Sequence, residues 1–291
     1  MPTPGESGER RPYDPTRGVR GLLKRALAAL PAGAPASGAS LLIYHRVGGG
    51  TANELDVPAE SFARHLDLLA GHDVVSLDEA LDRLEAGDAR PCFVLTFDDG
   101  FADVYQHAWP LLRERQLPFT IYLATAYMGQ PMQWEGATAK GEPGLGLSWE
   151  HLRRMVDSGL CTVGNHTHTH VRPEVLTEAE LDACSEAIYA RLGVRPRHFT
   201  YPWGIWVPAM EDALRERFRS ASTGKLGRNL PGADLMRRKR IPVRRTDPDA
   251  FFAAKLAGSL SGERFYGSLV GAAKTVFAPV RALRQRAASS A

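Results

Sequence analysis

From Ser40 to about Ala257, short apolar runs alternate with longer segments of helical periodicity, the pattern of repeated β–α units. The runs predict strands at 41–44, 74–76, 93–97, 119–123, 162–164, 199–201 and 219–222. Helices are predicted near 59–71, 77–86, 102–116, 149–158, 178–192 and 208–217. Two of these open with capping-box spacing, Ser76 with Glu79 and Thr177 with Glu180, in which hydroxyl and carboxylate satisfy orphan backbone N–H groups. The strands are continuously apolar rather than alternating, as expected where both faces of a parallel sheet are covered. The expected fold class is α/β, a barrel-like parallel domain.

The ends of the chain read differently. Residues 1–16 are polar and rich in Pro and Gly, and are expected to be disordered. Residues 18–30 place Val19, Leu22, Leu23, Ala26, Leu27 and Leu30 at helical spacing, with Arg20, Lys24 and Arg25 opposite, before a linker at 31–40. A secretory signal needs an unbroken apolar core of about 7–15 residues, and Lys24 and Arg25 interrupt this one. No apolar run approaches the ~20 residues of a transmembrane helix. Residues 264–291 form another amphipathic pattern, with Phe265, Leu269, Val276, Phe277, Val280 and Leu283 set against Lys274, Arg281, Arg284 and Arg286. The expected organisation is a basic N-terminal segment (1–39), a single catalytic domain (40–258) and a basic C-terminal helix (259–291).

Charge sharpens that division. The formal net charge is +3, yet residues 1–40 carry six Lys or Arg against three acids, and residues 264–291 carry five against none. The intervening body is therefore acidic, which argues against a nucleic-acid-binding core. Basic tails of this kind suit contact with an anionic membrane surface. A cytoplasmic or membrane-peripheral location is expected. The three cysteines, Cys92, Cys161 and Cys184, are too few for a disulfide framework and contain no CxxC pair.

Four segments carry candidate chemistry. Asp98 and Asp99 follow the apolar run 92–95, and paired carboxylates at the end of a buried strand need partners or a task; a helix cap before Phe101 is the plainer alternative. His166, His168 and His170 alternate after the strand at 162–164, and an extended segment projects such positions to one side, where neutral imidazoles chelate a divalent ion. A metal-free surface cluster is the alternative there. Tyr201, Pro202, Trp203 and Gly204 end another strand with aromatic rings. His45 ends the first, where a histidine is either satisfied structure or a proton donor.

Together these segments resemble the polysaccharide deacetylase (NodB-homology) family, carbohydrate esterase family 4, over residues 40–245. Thr96-Phe97-Asp98-Asp99-Gly100 is similar to the family's first motif, and His166-Thr167-His168-Thr169-His170 to its second. The resemblance implies a distorted (β/α) barrel, with Asp98 as catalytic base and Asp99, His166 and His170 holding a divalent metal. Zn²⁺ is the default ion, and other first-row ions suit the same ligands. The segment at 201–204 resembles the third motif, one side of the substrate groove, with a backbone N–H near Trp203 helping to hold an oxyanion. Tyr201, Trp203 and Tyr44 are the implied substrate-binding residues, with Trp206 a further apolar face.

Two departures bear on activity. The third motif usually carries an Arg that supports the base, and Thr200 stands there; Arg240 is a candidate substitute. The family's late Leu-His motif, source of the general acid, is absent, since His198 is the last histidine. Leu42-Ile43-Tyr44-His45-Arg46 resembles a branch, the poly-N-acetylglucosamine deacetylases, in which an N-terminal Tyr-His supplies that acid, so His45 takes the role. The expected function is metal-dependent removal of N-acetyl groups from an amino-sugar polymer or glycoconjugate, such as one of the cell envelope. The rivals are another amidohydrolase built on His166 and His168, and an inactive carbohydrate-binding relative.

Overall fold

The computed structural model describes residues 18–30, 36–134 and 143–270. Helix α1 (Val19–Ala28) precedes β1 (Ala39–Tyr44), and two-residue strands β2 (Arg46–Val47) and β3 (Asp56–Val57) pair just beyond it. Then follow α2 (Ala59–Leu69), α3 (Leu77–Glu85), β4 (Cys92–Phe97), α4 (Trp109–Glu114) and β5 (Phe119–Leu123). The rest of the chain gives α5 (Trp149–Asp157), β6 (Cys161–Asn165), α6 (Glu178–Leu192), β7 (His198–Thr200), α7 (Glu211–Arg217), β8 (Ser220–Leu226), β9 (Arg238–Pro242) and α8 (Asp249–Leu256). Residues 261–270 are helical as well.

Seven strands close a parallel barrel in the order β1-β4-β5-β6-β7-β8-β9, with β9 returning to β1 in the register Leu41 to Arg240. The expected (β/α) barrel is therefore the observed one. Outward positions of the strands, among them Leu42, Phe93, Leu95, Phe119 and Ile121, pack under the helices against Phe62, Leu112, Leu152 and Ile188. Burying each such side chain stabilises the fold by about 2 kcal/mol. Alternate positions include Thr96, Thr120, Thr200 and Ser222, all fully buried.

Several local expectations shift. Residues 74–76 form only an isolated bridge, Val74 to Phe93. The helix predicted over 102–116 is interrupted by a π-helical turn at Val104–Ala108 before α4. Pro110 lacks the N–H that would close the α-helical bond there, so the turn widens. Strand β9 lies outside the predicted runs, since Arg238-Lys239-Arg240 carries no apolar pattern. The Ser76 hydroxyl caps α3 by accepting from Glu79 N–H at 3.1 Å, whereas the Thr177 side chain caps nothing.

Helix α1 lies against the barrel with an unexpected face. Gly21, Lys24 and Leu27 turn inward, while Val19 and Leu22 are exposed. The Lys24 ammonium reaches Asp247 Oδ1 at 2.6 Å, and Lys255 meets Oδ2 of the same carboxylate at 2.6 Å. One basic group of the N-terminal segment is thus consumed by the fold. Residues 1–17, the first half of the linker (31–35), residues 135–142 and residues 271–291 lie outside the described residues, with the expectations that fell on them. Among the described residues, no helix is long and apolar enough to cross a membrane.

Candidate active site

Most of the candidate side chains arrive just past the C-terminal ends of barrel strands, the end at which barrels of this type build their sites. His45 follows β1, Asp98 and Asp99 follow β4, His166 follows β6, Trp203 follows β7, and Arg240 lies in β9. The Asp98 N–H donates to Tyr44 O at 2.9 Å, tying the carboxylate pair to the first strand. Asp99 sits at φ 73°, a left-handed conformation that Asp tolerates better than most residues, and this turns successive carboxylates in different directions.

Asp99 Oδ1 lies 3.3 Å from His166 Nε2 and 3.4 Å from His170 Nε2. All three residues are buried, and ligand atoms of the three lie within 4.8 Å of one another. His166 Nδ1 is 2.8 Å from the carbonyl oxygen of Thr200. A carbonyl only accepts, so Nδ1 carries a proton, and Nε2 is the ring nitrogen that faces Asp99. Among the described residues, Asp99 Oδ1 has no well-formed hydrogen bond despite its burial. Burial alone would push this carboxyl up, but the imidazoles of His166 and His170 outweigh it and hold it well below the usual range. Burial lowers His170, partly opposed by Asp99, and keeps the ring in the neutral form that metals bind. A carboxylate oxygen and two imidazole nitrogens converging on one point fit a divalent cation.

Asp98 faces other groups. Its Oδ1 accepts from Arg240 Nη1 at 2.7 Å, and its Oδ2 lies 4.0 Å from His45 Nε2. Arg240 is almost wholly buried, and its Nε donates to Thr223 O at 3.1 Å. A bulge in β8 between Ser222 and Leu226 makes that reach possible. Burial would raise the Asp98 carboxyl; the Arg240 guanidinium, with the imidazoles of His166 and His45, brings it below its ordinary value.

His168 does not join the cluster. Its Nδ1 lies 2.9 Å from Thr125 Oγ1, and Thr167 at φ 68° breaks the extended run that would align all three imidazoles. The Thr200 side chain bonds to Ser222 O, and its contribution to the site is its backbone carbonyl.

Two expected sugar-facing residues are corrected. Tyr44 is fully buried on the outward side of β1, with its hydroxyl 3.2 Å from His65 Nδ1 and its ring against Phe62 and Phe97. Strand alternation sends Tyr44 outward under the helices and the next residue, His45, toward the rim. Tyr201 is likewise fully buried, edge-on to Phe199. Trp203 is 37% exposed, with its ring centroid 5.4 Å from that of His170. Trp206 is also part-exposed, with Arg237 over its ring at 4.1 Å. Sequence reasoning missed Trp134, whose ring centroid is 4.3 Å from His170 on a segment without helical or strand periodicity.

Comparison with known proteins places the sequence and the fold among similar ones. Residues 86–217 match the sequence profile of the family described as polysaccharide deacetylase. That stretch, somewhat under half of the chain, resembles a polysaccharide deacetylase domain. Asp98, Asp99, His166, His170 and Trp203 lie inside the stretch that matches this deacetylase profile, and His45 and Arg240 outside it. YxkH of Bacillus subtilis (strain 168), whose name places it among the polysaccharide deacetylases, is 29% identical over 142 residues. That match spans 47% of this chain and 45% of YxkH, less than half of the relative's length. The structure of IcaB from Ammonifex degensii superposes with a TM-score of 0.66 at 29% identity, over 77% of this chain and 98% of that one. BC0361, a polysaccharide deacetylase from Bacillus cereus, shares the deacetylase fold at 21% identity and a TM-score of 0.62, over 76% of this chain and 69% of that one.

Proposed function

We propose that the chain is a metal-dependent hydrolase that removes N-acetyl groups from an amino-sugar polymer or glycoconjugate. The observation that carries this reading is the pairing, at one barrel rim, of the Asp99–His166–His170 cluster with an Asp98 carboxylate held by Arg240 and faced by His45. Asp99, His166 and His170 hold the ion, Zn²⁺ by default. Bound there, a divalent metal supplies Lewis acidity toward a carbonyl oxygen and acidifies water.

The protein's own groups do the rest. Asp98 accepts the proton of the attacking water, and Arg240 keeps its carboxylate ionised for that purpose. His45, on the far side of the Asp98 carboxylate, donates a proton to the amine as the C–N bond breaks, histidine being the side chain suited to proton transfer near neutral pH. Trp203, part-exposed beside His170, offers a sugar an apolar face. Arg240 on Asp98 removes the main argument for an inactive binding protein, since the base keeps an arginine partner although Thr200 stands in the motif. The position of His168 against Thr125 speaks against an amidohydrolase centred on His166 and His168. The basic residues of the tails fit a site of action at an anionic membrane or envelope surface.

Acetate release from N-acetylglucosamine oligomers by Zn²⁺-loaded protein tests the proposal. Asp98→Asn is expected to lower kcat about a thousand-fold, in keeping with general base catalysis, with Zn²⁺ content unchanged. An active variant removes Asp98 from the role of base. No release by the metal-loaded wild type across N-acetylated glycans removes the proposed activity.

A further inference from the structure

The segment that carries His166 and His170 has a strained backbone. Thr167 lies at φ 68° and His170 at φ 53°, conformations that cost non-glycine residues on the order of 1 kcal/mol each. Such a loop relaxes unless its surroundings hold it. Asn165 secures the near end, its Oδ1 accepting from Thr167 N–H at 2.9 Å while its Nδ2 donates to Leu181 O of α6 at 2.8 Å.

The far end is secured by a group that local sequence assigns to another task. Thr177 and Glu180 have capping-box spacing, yet the Glu180 carboxylate leaves the start of α6 and turns to the loop. Its Oε2 accepts from Thr169 N–H at 2.8 Å and its Oε1 from the Thr169 hydroxyl at 2.9 Å. The helix thereby forgoes a side-chain cap worth about 1 kcal/mol. Thr169 directly precedes His170, whose Nδ1 is buried with no hydrogen-bond partner among the described residues. Metal-binding imidazoles are ordinarily oriented by a hydrogen bond at the second ring nitrogen, as Thr200 O orients His166. Among the described residues His170 lacks that device, so its placement depends on the backbone at 169–170 and on the packing of Trp134 and Trp203.

We propose that Glu180 is a positioning residue for the metal centre, acting through Thr169 to fix His170. This rests on the reading of Asp99, His166 and His170 as metal ligands.

The test measures Zn²⁺ affinity by competition with a chromogenic chelator, and the visible absorption of the Co²⁺-substituted protein. Glu180→Ala is expected to weaken Zn²⁺ about 10–100-fold, the usual effect of losing an outer partner of a metal ligand, and to alter the cobalt spectrum. Glu180→Gln retains one acceptor for two donors and falls between. Thr169→Val loses only the hydroxyl bond, is expected to weaken Zn²⁺ severalfold, and serves where Glu180→Ala does not fold. Glu178→Ala removes a carboxylate from the same turn, one bonded to Arg217 rather than the loop, and is expected to match the wild type. Unchanged affinity and spectrum in folded Glu180→Ala, with stability alone reduced, overturn the proposal. Zn²⁺ binding that survives both Asp99→Ala and His166→Ala overturns the metal reading itself, and the role of Glu180 with it.

Discussion

Asp98 and Asp99 are adjacent in sequence and equally buried, yet they sit in different electrostatic surroundings. Asp99 is faced by two imidazoles, whereas Asp98 receives the buried guanidinium of Arg240. The left-handed backbone at Asp99 is what parts them. For Asp98 the opposing influences are burial, which favours the neutral acid, and Arg240, which favours the carboxylate. Replacing Arg240 with Met leaves burial less opposed, so the Asp98 carboxyl rises. The base form then appears at higher pH, and the acid limb of the kcat/KM profile is expected to move up by about one unit, the lower end of the effect of a close opposite charge. A pH–rate profile of Arg240→Met with Zn²⁺ content held equal checks this, and an unmoved limb means Arg240 does not set the base.

Helix α1 and the segment after α8 attach to the body through a buried charge cluster beside a small apolar seam of Leu27, Phe251 and Tyr266. Asp247 bonds both Lys24 and Lys255, and Lys255 also reaches Glu263 at 2.9 Å. Removing one member of such a set leaves the others buried and uncompensated, at a cost of about 3–5 kcal/mol. Asp247→Asn is expected to be worse than Lys24→Met, because it removes the carboxylate that both ammonium groups share and leaves Lys255 only Glu263 and Lys24 only the more distant Glu54 at 3.8 Å, while Lys24→Met leaves Asp247 its bond to Lys255. Thermal unfolding of both variants checks the order, and equal or reversed losses would sink it. This attachment also marks where the sequence ceased to be legible. Most of the barrel strands were readable as apolar runs, Asp98, Asp99 and His45 were readable because each follows the end of such a run, and His166 and His170 because imidazoles recur at alternate positions after another. The inward turn of Lys24 was not, since its partner lies 223 residues away in a stretch with no local pattern. For the same reason β9 was hidden: its arginines are explained only by what the closed barrel brings to them. Tyr44 failed differently, because the period of two that sends it outward is invisible in a run apolar at every position.

Closing the barrel also encloses groups that must remain neutral, and this sets how the protein responds to acid. His65 is fully buried between Tyr44 and Phe252, with its ring stacked on Phe252 at a centroid distance of 4.0 Å. Burial lowers its pKa from the ordinary value near 6.5 to about 4. The unfolded chain therefore takes up a proton near pH 6.5 that the folded protein refuses until about pH 4. The contribution of His65 to stability is full above pH 6.5 and is lost progressively as pH falls to about 4, amounting to about 3 kcal/mol at 1.36 kcal/mol per unit. Asp98 and Asp99, depressed in the fold, add losses only below the unfolded carboxylate range, near pH 4 and under. A His65→Gln variant lacks the titrating ring and keeps every other group. Denaturant unfolding of metal-free wild type and variant at a series of pH values between 7 and 4 separates this contribution from metal loss. The wild type is expected to lose about 3 kcal/mol more than the variant across that window, although the variant starts less stable because Tyr44 and Phe252 lose the ring that packs between them. Parallel curves would mean that the buried imidazole titrates alike in both states and that acid sensitivity arises from the carboxylates alone.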